Sequence, residues 1–352
     1  MINKRFFKRK TINKLLLFFS IIGLVVILSI NYHNPFLIQN SGPWSIGFGS
    51  ATKYPTEIPV AKNKIYSLEK LREFDSKTRF LADPFFLKVK DTFYLFFEHQ
   101  LTSNPKAAIG LMTSIDGIHY QYKGTVLKED FHLSYPQVFQ YKNEFYMIPE
   151  SQQANAVLLY KAAHFPFGWK VCDTLIPNIK LKDPTIYLSD TLNIMVASDN
   201  KLTLHLYEAD SLFGKWKLHK NHKVITGSEA RAGGRFFADK KGLLLPIQNC
   251  SNGYGFGLSI YRMTFKNGDY TIKREMPFFL KKQTNIAEFN AGMHQFDIQQ
   301  IGANKYYYVY DGNRLKSQNK KWCFLIFLWC LGILASWFFI RLPPLIPLPP
   351  PY

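Results

Sequence analysis

The sequence predicts an all-β chain: a single five-bladed β-propeller over residues 40–313, with an N-terminal transmembrane helix and a second, C-terminal candidate span. Three observations predict it. A plan of paired apolar runs recurs five times along the chain. The spacing inside the copies is fixed, as a repeat of one supersecondary unit requires. Aromatic residues make up 16% of the chain (Phe 31, Tyr 20, Trp 6), which suits pleated surfaces.

Residues 1–14 form a basic tail. Six Lys/Arg and no acid lie within residues 1–30, and this excess flanks an uncharged run, LLLFFSIIGLVVILSI, from Leu15 to Ile30. The run reads as an anchor over 15–31, leaving the N-terminus cytoplasmic and the propeller on the extracytoplasmic side. A cleavable signal would have a shorter apolar core, and no A-x-A-like site follows in SINYHNPF. The net charge of +19 is therefore read as membrane topology rather than nucleic-acid binding. Residues 31–313 carry only +8 of it.

The repeat occupies the middle. The copies are ADPFFLKVKDTFYLFFE (82–98), SYPQVFQYKNEFYMIPE (134–150), KDPTIYLSDTLNIMVAS (182–198), AGGRFFADKKGLLLPIQ (232–248) and GMHQFDIQQIGANKYYYVYDG (292–312). Blades therefore start near 82, 134, 182, 232 and 292. Aligning Pro84, Pro136, Pro184, Gly234 and His294 gives steps of 52, 48, 50 and 60 residues. Four copies hold 14 residues from that position to Glu98, Glu150, Ser198 and Gln248. Only the fifth is longer, around Gly302-Ala303-Asn304. Each hairpin is followed by two further strand-like runs, making four strands per blade. The fifth copy stops after two, and residues 43–66 supply its missing pair, so the ring closes by joining the domain's ends. A short helical turn is expected at Ser67–Phe74. Beyond the ring, 322–340 (WCFLIFLWCLGILASWFFI) is the second candidate span, although its flanking charges oppose the orientation imposed by the first. Residues 341–352 form a Pro-rich tail. The four cysteines show neither a disulfide framework nor a zinc spacing.

In a propeller the first strand lines the channel and the second runs back beside it. The repeat thus collects Asp83, Glu98, Glu150, Asp183, Arg231, Gln248 and His294 at one mouth. Carboxylates held close raise at least one pKa, which sets a proton donor beside an ionised base. Glycosidic cleavage needs that pairing. Asp83, Glu150 and Asp183 are the catalytic candidates. Glu98, Tyr135, Arg231, Arg235, Gln248, Tyr254 and His294 are the substrate-binding candidates, with Tyr135, Phe97 and Tyr254 available to stack on sugar rings. Each has a plain alternative: Asp-Pro is a common turn element, Glu98 and Glu150 suit ion pairs with Arg231 and Arg235, and Ser114-Ile115-Asp116-Gly117 is a hairpin turn.

These residues carry a resemblance. ADP (82–84), SIDG (114–117) and the histidine of GMHQF resemble the five-bladed propellers of glycoside hydrolase families 43, 32 and 68. LADPF, LSYPQVF, YMIPES, KDPTIY, RAGGRFF, PIQNCSNGYG and MHQFD are more closely similar to the N-terminal propeller domain of plant glucosamine inositolphosphorylceramide transferases and its stand-alone bacterial relatives, over roughly 43–312. The resemblance implies Asp83 as general base and Asp183 at the place of a third-blade general acid. Ser134-Tyr135 stands where the family-43 second-blade aspartate would be, with Glu150 as its candidate substitute. It implies a channel-bound divalent cation, calcium, near His294, no cofactor beyond that, and a glycan or glycolipid substrate. The expected function is glycosidic-bond hydrolysis or glycosyl transfer on a surface or envelope glycan. The alternative is a non-catalytic glycan-binding propeller assisting polysaccharide or glycolipid assembly.

Overall fold

The computed structural model describes residues 2–33 and 41–315. The expected second span at 322–340 and the Pro-rich tail at 341–352 lie outside the described residues.

The first element, α1, is a 32-residue helix, Ile2–His33. Neither Pro nor a polar turn cluster interrupts it. Among the described residues no helix is long and apolar enough to cross a membrane. The expected transmembrane helix over 15–31, and with it the single- or double-pass arrangement, is therefore not upheld. Its uncharged run of 16 residues rises about 24 Å, short of a hydrocarbon core of ~30 Å.

Five sheets follow, one per blade. The first blade is β3 (Thr78–Val89), β4 (Thr92–Leu101), β5 (Ala108–Ser114) and β6 (Gln121–Leu127). The second is β7 (Ser134–Tyr141), β8 (Glu144–Glu150), β9 (Ala156–His164) and β10 (Phe167–Pro177). The third is β11 (Lys182–Leu188), β12 (Asn193–Ser198), β13 (Thr203–Glu208) and β14 (Lys217–Thr226). The fourth splits its inner strand into β15 (Arg231–Ala232) and β16 (Phe237–Asp239), both paired with β17 (Gly242–Asn249), and continues through β18 (Gly257–Lys266) and β19 (Asp269–Lys281). The fifth has β20 (Phe296–Gly302) and β21 (Lys305–Leu315), completed by β1 (Ser41–Ala51) and β2 (Lys64–Tyr66) in the order β2-β1-β21-β20. The ring closes as the sequence predicts. Nine residue pairs join β1 to β21, from Ser41↔Leu315 to Ala51↔Tyr306. The expected turn after β2 is the short helix α2 (Leu68–Arg72), whose N-cap Ser67 accepts the Lys70 N–H.

Turn chemistry sets the hairpins. Lys142 and Asn143, both at positive φ (47° and 64°), make the two-residue loop joining Tyr141 to Glu144, the twist-matched geometry for such a hairpin. The Ser114–Gly117 segment is a turn, with Ser114 Oγ accepting the Gly117 N–H at 3.0 Å.

Aromatic and aliphatic side chains fill the wedges between blades. Phe85, Phe96, Tyr135, Val138, Met147 and Trp169 share one buried cluster, and Phe86, Phe93, Phe97 and Tyr307 another. Each such side chain contributes roughly 1.5–3 kcal/mol through burial.

The inner strands share one kink at the mouth. Pairing slips between Ala82 and Phe85, between Ser134 and Gln137, and between Lys182 and Thr185. In each slip one non-glycine residue is left-handed: Asp83 (φ 51°), Tyr135 (φ 48°) and Asp183 (φ 48°). Such conformations cost of order 1–3 kcal/mol and concentrate at functional sites. In the fourth blade the positive φ falls one position later, on Gly234 (φ 153°), which aligns with Pro84. A Cβ there would lie 1.8 Å from the Phe296 carbonyl oxygen, so only glycine fits.

Candidate functional site

The kinks turn Asp83 and Asp183 toward the channel axis at one rim. β4 and β8 end at the same rim, delivering Glu98 and Glu150, and β17 delivers Gln248. Asp83 is 4% exposed, Glu98 8% and Glu150 6%; Asp183 and His294 are fully enclosed.

Contacts run from blade to blade. The Asp83 N–H donates to Asp311 Oδ2 at 2.9 Å, and the Tyr135 N–H donates to Asp83 Oδ2 at 3.2 Å. His294 Nδ1 donates to Asp311 Oδ1 at 2.8 Å, while its Nε2 lies 3.6 Å from Asp83 Oδ1 and 2.9 Å from the Tyr254 hydroxyl. Asp183 has both oxygens occupied. Arg231 grips it with Nε on Oδ2 and with Nη2 on Oδ1 (3.1 Å), and Gln248 Nε2 donates to Oδ2 at 3.0 Å. Glu150 accepts the Gln152 N–H at 3.0 Å and the Ser134 hydroxyl at 3.4 Å. Glu98 Oε1 lies 3.3 Å from His132 Nε2. His132 Nδ1 accepts the Ala107 N–H, so in the neutral ring Nε2 carries the hydrogen that faces Glu98.

Burial governs the electrostatics. It pushes the Asp83 carboxyl up to about 7, with His294 pulling against it and Asp311 adding to it. It pushes Glu150 up to about 7, helped by the neighbouring Asp183 charge. Glu98 is raised well above the usual range by burial and then by Asp83 and Glu150. Burial opposes the charged form of His294, yet Asp311 and Asp83 outweigh it and raise the imidazole. Arg231 is likewise held charged, burial being overcome by Asp183.

The seven residues assigned to one mouth by the repeat do meet there. Others are placed differently. The Tyr135 ring is buried, its hydroxyl bound to Thr185 Oγ1 (2.7 Å) and to the Gly234 N–H (2.7 Å), so no face is left for a sugar. Phe97 is buried in the blade core. Tyr254 remains at the mouth, half-buried, beneath the Arg231 guanidinium (5.3 Å to the ring centre). Arg235 lies deeper, pairing with Asp297 (Nε–Oδ1 2.8 Å) and donating to the Val138 carbonyl at 3.0 Å. The two arginines therefore partner Asp183 and Asp297, not Glu98 and Glu150. Sequence reading missed Asp311, although the switch from YYYVY to Asp marks it, because the longer turn of the fifth copy shifts it off the 14-residue ruler. It also missed Trp44, buried and stacked on His294 at 4.1 Å, and His132, which has no ligand spacing in sequence.

Asp83, His294 and Asp311 offer ligand atoms within 4.8 Å of one another, all buried. Two hard carboxylate oxygens and one borderline imidazole nitrogen form a set that fits a divalent cation.

This chain belongs to a known family. Residues 35–313 match the description "Glucosamine inositolphosphorylceramide transferase 1, N-terminal". Over 307 residues it is 30% identical to Glucosamine inositolphosphorylceramide transferase 1 of Arabidopsis thaliana, covering 79% of this chain and 40% of that protein. Over 313 residues it is 32% identical to the protein of the same name from Oryza sativa subsp. japonica, covering 80% and 41%. The chain thus spans about two fifths of these relatives' length. Among solved structures it is similar to Zg3597, a family 117 glycoside hydrolase of Zobellia galactanivorans (TM-score 0.46, 13% identity, 68% of this chain and 87% of that one). It is also similar to 1,3Gal43A, an exo-β-1,3-galactanase from Clostridium thermocellum (TM-score 0.49, 14% identity, 64% and 53%).

Proposed function

We propose that this member of the glucosamine inositolphosphorylceramide transferase N-terminal family is a membrane-attached, carbohydrate-active propeller working on a glycosidic bond at the channel mouth. The observation that carries the reading is the set of buried carboxylates whose protons are held near neutral pH, Asp83 and Glu150 at about 7. Such a pair separates into a donor and a base. Asp83 faces the raised His294 imidazole, which favours its ionised form and the role of base or nucleophile. Glu150, its proton held by burial and by the neighbouring Asp183 charge, is the acid that protonates the leaving oxygen. Asp183, with both oxygens engaged, moves from the catalytic candidates to the positioning of Arg231. Among the described residues Gln248 Oε1 is a buried acceptor without a partner, suited to a sugar hydroxyl. Hydrolysis and transfer share this protonation of the leaving oxygen and differ in whether water or a second hydroxyl forms the new bond to the anomeric carbon, directly where Asp83 is the base or by displacing Asp83 where it is the nucleophile. A divalent cation held by Asp83, His294 and Asp311 would supply positive charge that keeps both carboxylates ionised.

Membrane attachment rests on α1. The large apolar side chains from Leu15 to Val26 are 42–63% exposed, and they lie on every side of the helix. A helix apolar all round needs an apolar surrounding, and the basic tail suits an anionic surface. The substrate class that fits is a glycan, free or lipid-carried.

The test is turnover of a panel of envelope glycans by the full chain in detergent. Asp83→Asn and Glu150→Gln should each lower turnover by about 10²–10⁴ while circular dichroism stays unchanged. Activity surviving both changes removes the pair from the mechanism. A second reading is favoured by the burial of every mouth carboxylate: binding without chemistry, which predicts saturable retention of a glycan and no product.

A further inference from the structure

We propose that the mouth carrying the carboxylates faces the bilayer that holds α1, and that the opposite rim faces away. The inference rests on the membrane attachment proposed above and goes beyond it by fixing which end of the ring is presented to lipid.

Strand polarity supplies the argument. β1 enters the ring at Ser41, which pairs with Leu315 at the exit of β21. Both lie at the mouth. Trp44, three residues into β1, stacks on His294. The helix ends at His33, and seven residues, 34–40, separate it from Ser41. Seven residues can reach at most about 25 Å. An inner strand of eight residues, such as Ser134–Tyr141, gives the ring a height of about 26 Å. At its covalent limit the connection only just matches that height, so the far rim could be reached only by running the whole length of a blade, whereas the mouth is where β1 begins. In sequence, six residues separate Leu315 from the apolar run that begins at Trp322.

The consequence is a restriction on substrate. The site samples sugars presented within a short distance of the bilayer surface, and the hairpin turns of the opposite rim look into the aqueous phase.

Exposed lysines mark the two rims. Lys180 and Lys201 lie in connections at the mouth and Lys281 ends β19 there; Lys142 and Lys240 lie in turns at the opposite rim and Lys266 ends β18 there. The full chain is reconstituted into vesicles of phosphatidylcholine and phosphatidylglycerol, floated on a density gradient, and acylated with a membrane-impermeant N-hydroxysuccinimide ester. Reaction at each lysine is read by peptide mass spectrometry against the same chain in detergent. The expected result is several-fold slower acylation of Lys180, Lys201 and Lys281 relative to Lys142, Lys240 and Lys266. Equal slowing at both rims, or slowing confined to the opposite rim, overturns the orientation. A chain that fails to float refutes the attachment itself, a different result read in a different step.

Discussion

Two levels of the same channel behave differently. At the mouth, Asp83, Glu98, Glu150, Asp183 and Asp311 face Arg231 and His294, so acids outnumber cations. Three residues deeper along the inner strands, about 10 Å away, Asp297 meets Arg235. There the carboxylate takes Nε at 2.8 Å, Nη2 at 3.3 Å and the Phe86 N–H at 3.0 Å, and the guanidinium also serves two carbonyls. The deep level is balanced in charge; the mouth keeps surplus acid and, among the described residues, a buried Gln248 oxygen without a partner. One repeat builds both levels, and the match between charges separates a plug from a site able to hold and release protons.

Breaking the plug should have the largest effect on the fold. Arg235→Met leaves Asp297 buried and unpaired, a loss of about 3–5 kcal/mol, read as a lowered midpoint in urea unfolding of the full chain. Loss of activity is expected only in proportion to unfolding. A drop in turnover at full folding would place Arg235 with the mouth instead.

The mouth should answer to pH. Glu150 in the native state titrates near 7, raised mainly by burial, against about 4.3 for an unperturbed glutamate. The native state therefore holds more protons than the unfolded chain between these values. Its contribution to stability is full below about 4.3 and is lost as pH rises through about 7. The change is about 4 kcal/mol. Glu150→Gln should flatten that slope in denaturation series run from pH 4 to 8; an unaltered slope would assign it to another group.

Calcium sharpens the comparison at smaller amplitude. Binding at Asp83, His294 and Asp311 should stabilise by up to about 2.7 kcal/mol at a hundredfold excess over Kd. The effect would appear as a rise in melting temperature, reversed by chelator and absent in Asp311→Asn. A rise that persists in Asp311→Asn would place the ion elsewhere.

Much of the ring was legible because its unit recurs. The 14-residue ruler places Glu98, Glu150 and Gln248 at one rim without any knowledge of angles, and the half-copy at 43–66 foretells β1 and β2. Side-chain destinations were less legible. Tyr135 occupies the place of an acid in the repeat, yet its left-handed backbone sends only its N–H to Asp83 and its ring into the wedge. Arg231 and Arg235, four residues apart, go to different depths because Gly233-Gly234 interrupts the inner strand between them. Asp311 escaped because an insertion in its turn breaks the ruler.

Sequence by itself determined the number of blades, the closure of the ring and the rim on which polar strand ends gather, because strand period and repeat length are local properties of the chain. Which carboxylate keeps its proton and which is neutralised was decided only by tertiary structure. Desolvation and ion pairing act over a few ångströms, and residues 48 apart, such as Asp183 and Arg231, come that close only when the blades close into a ring.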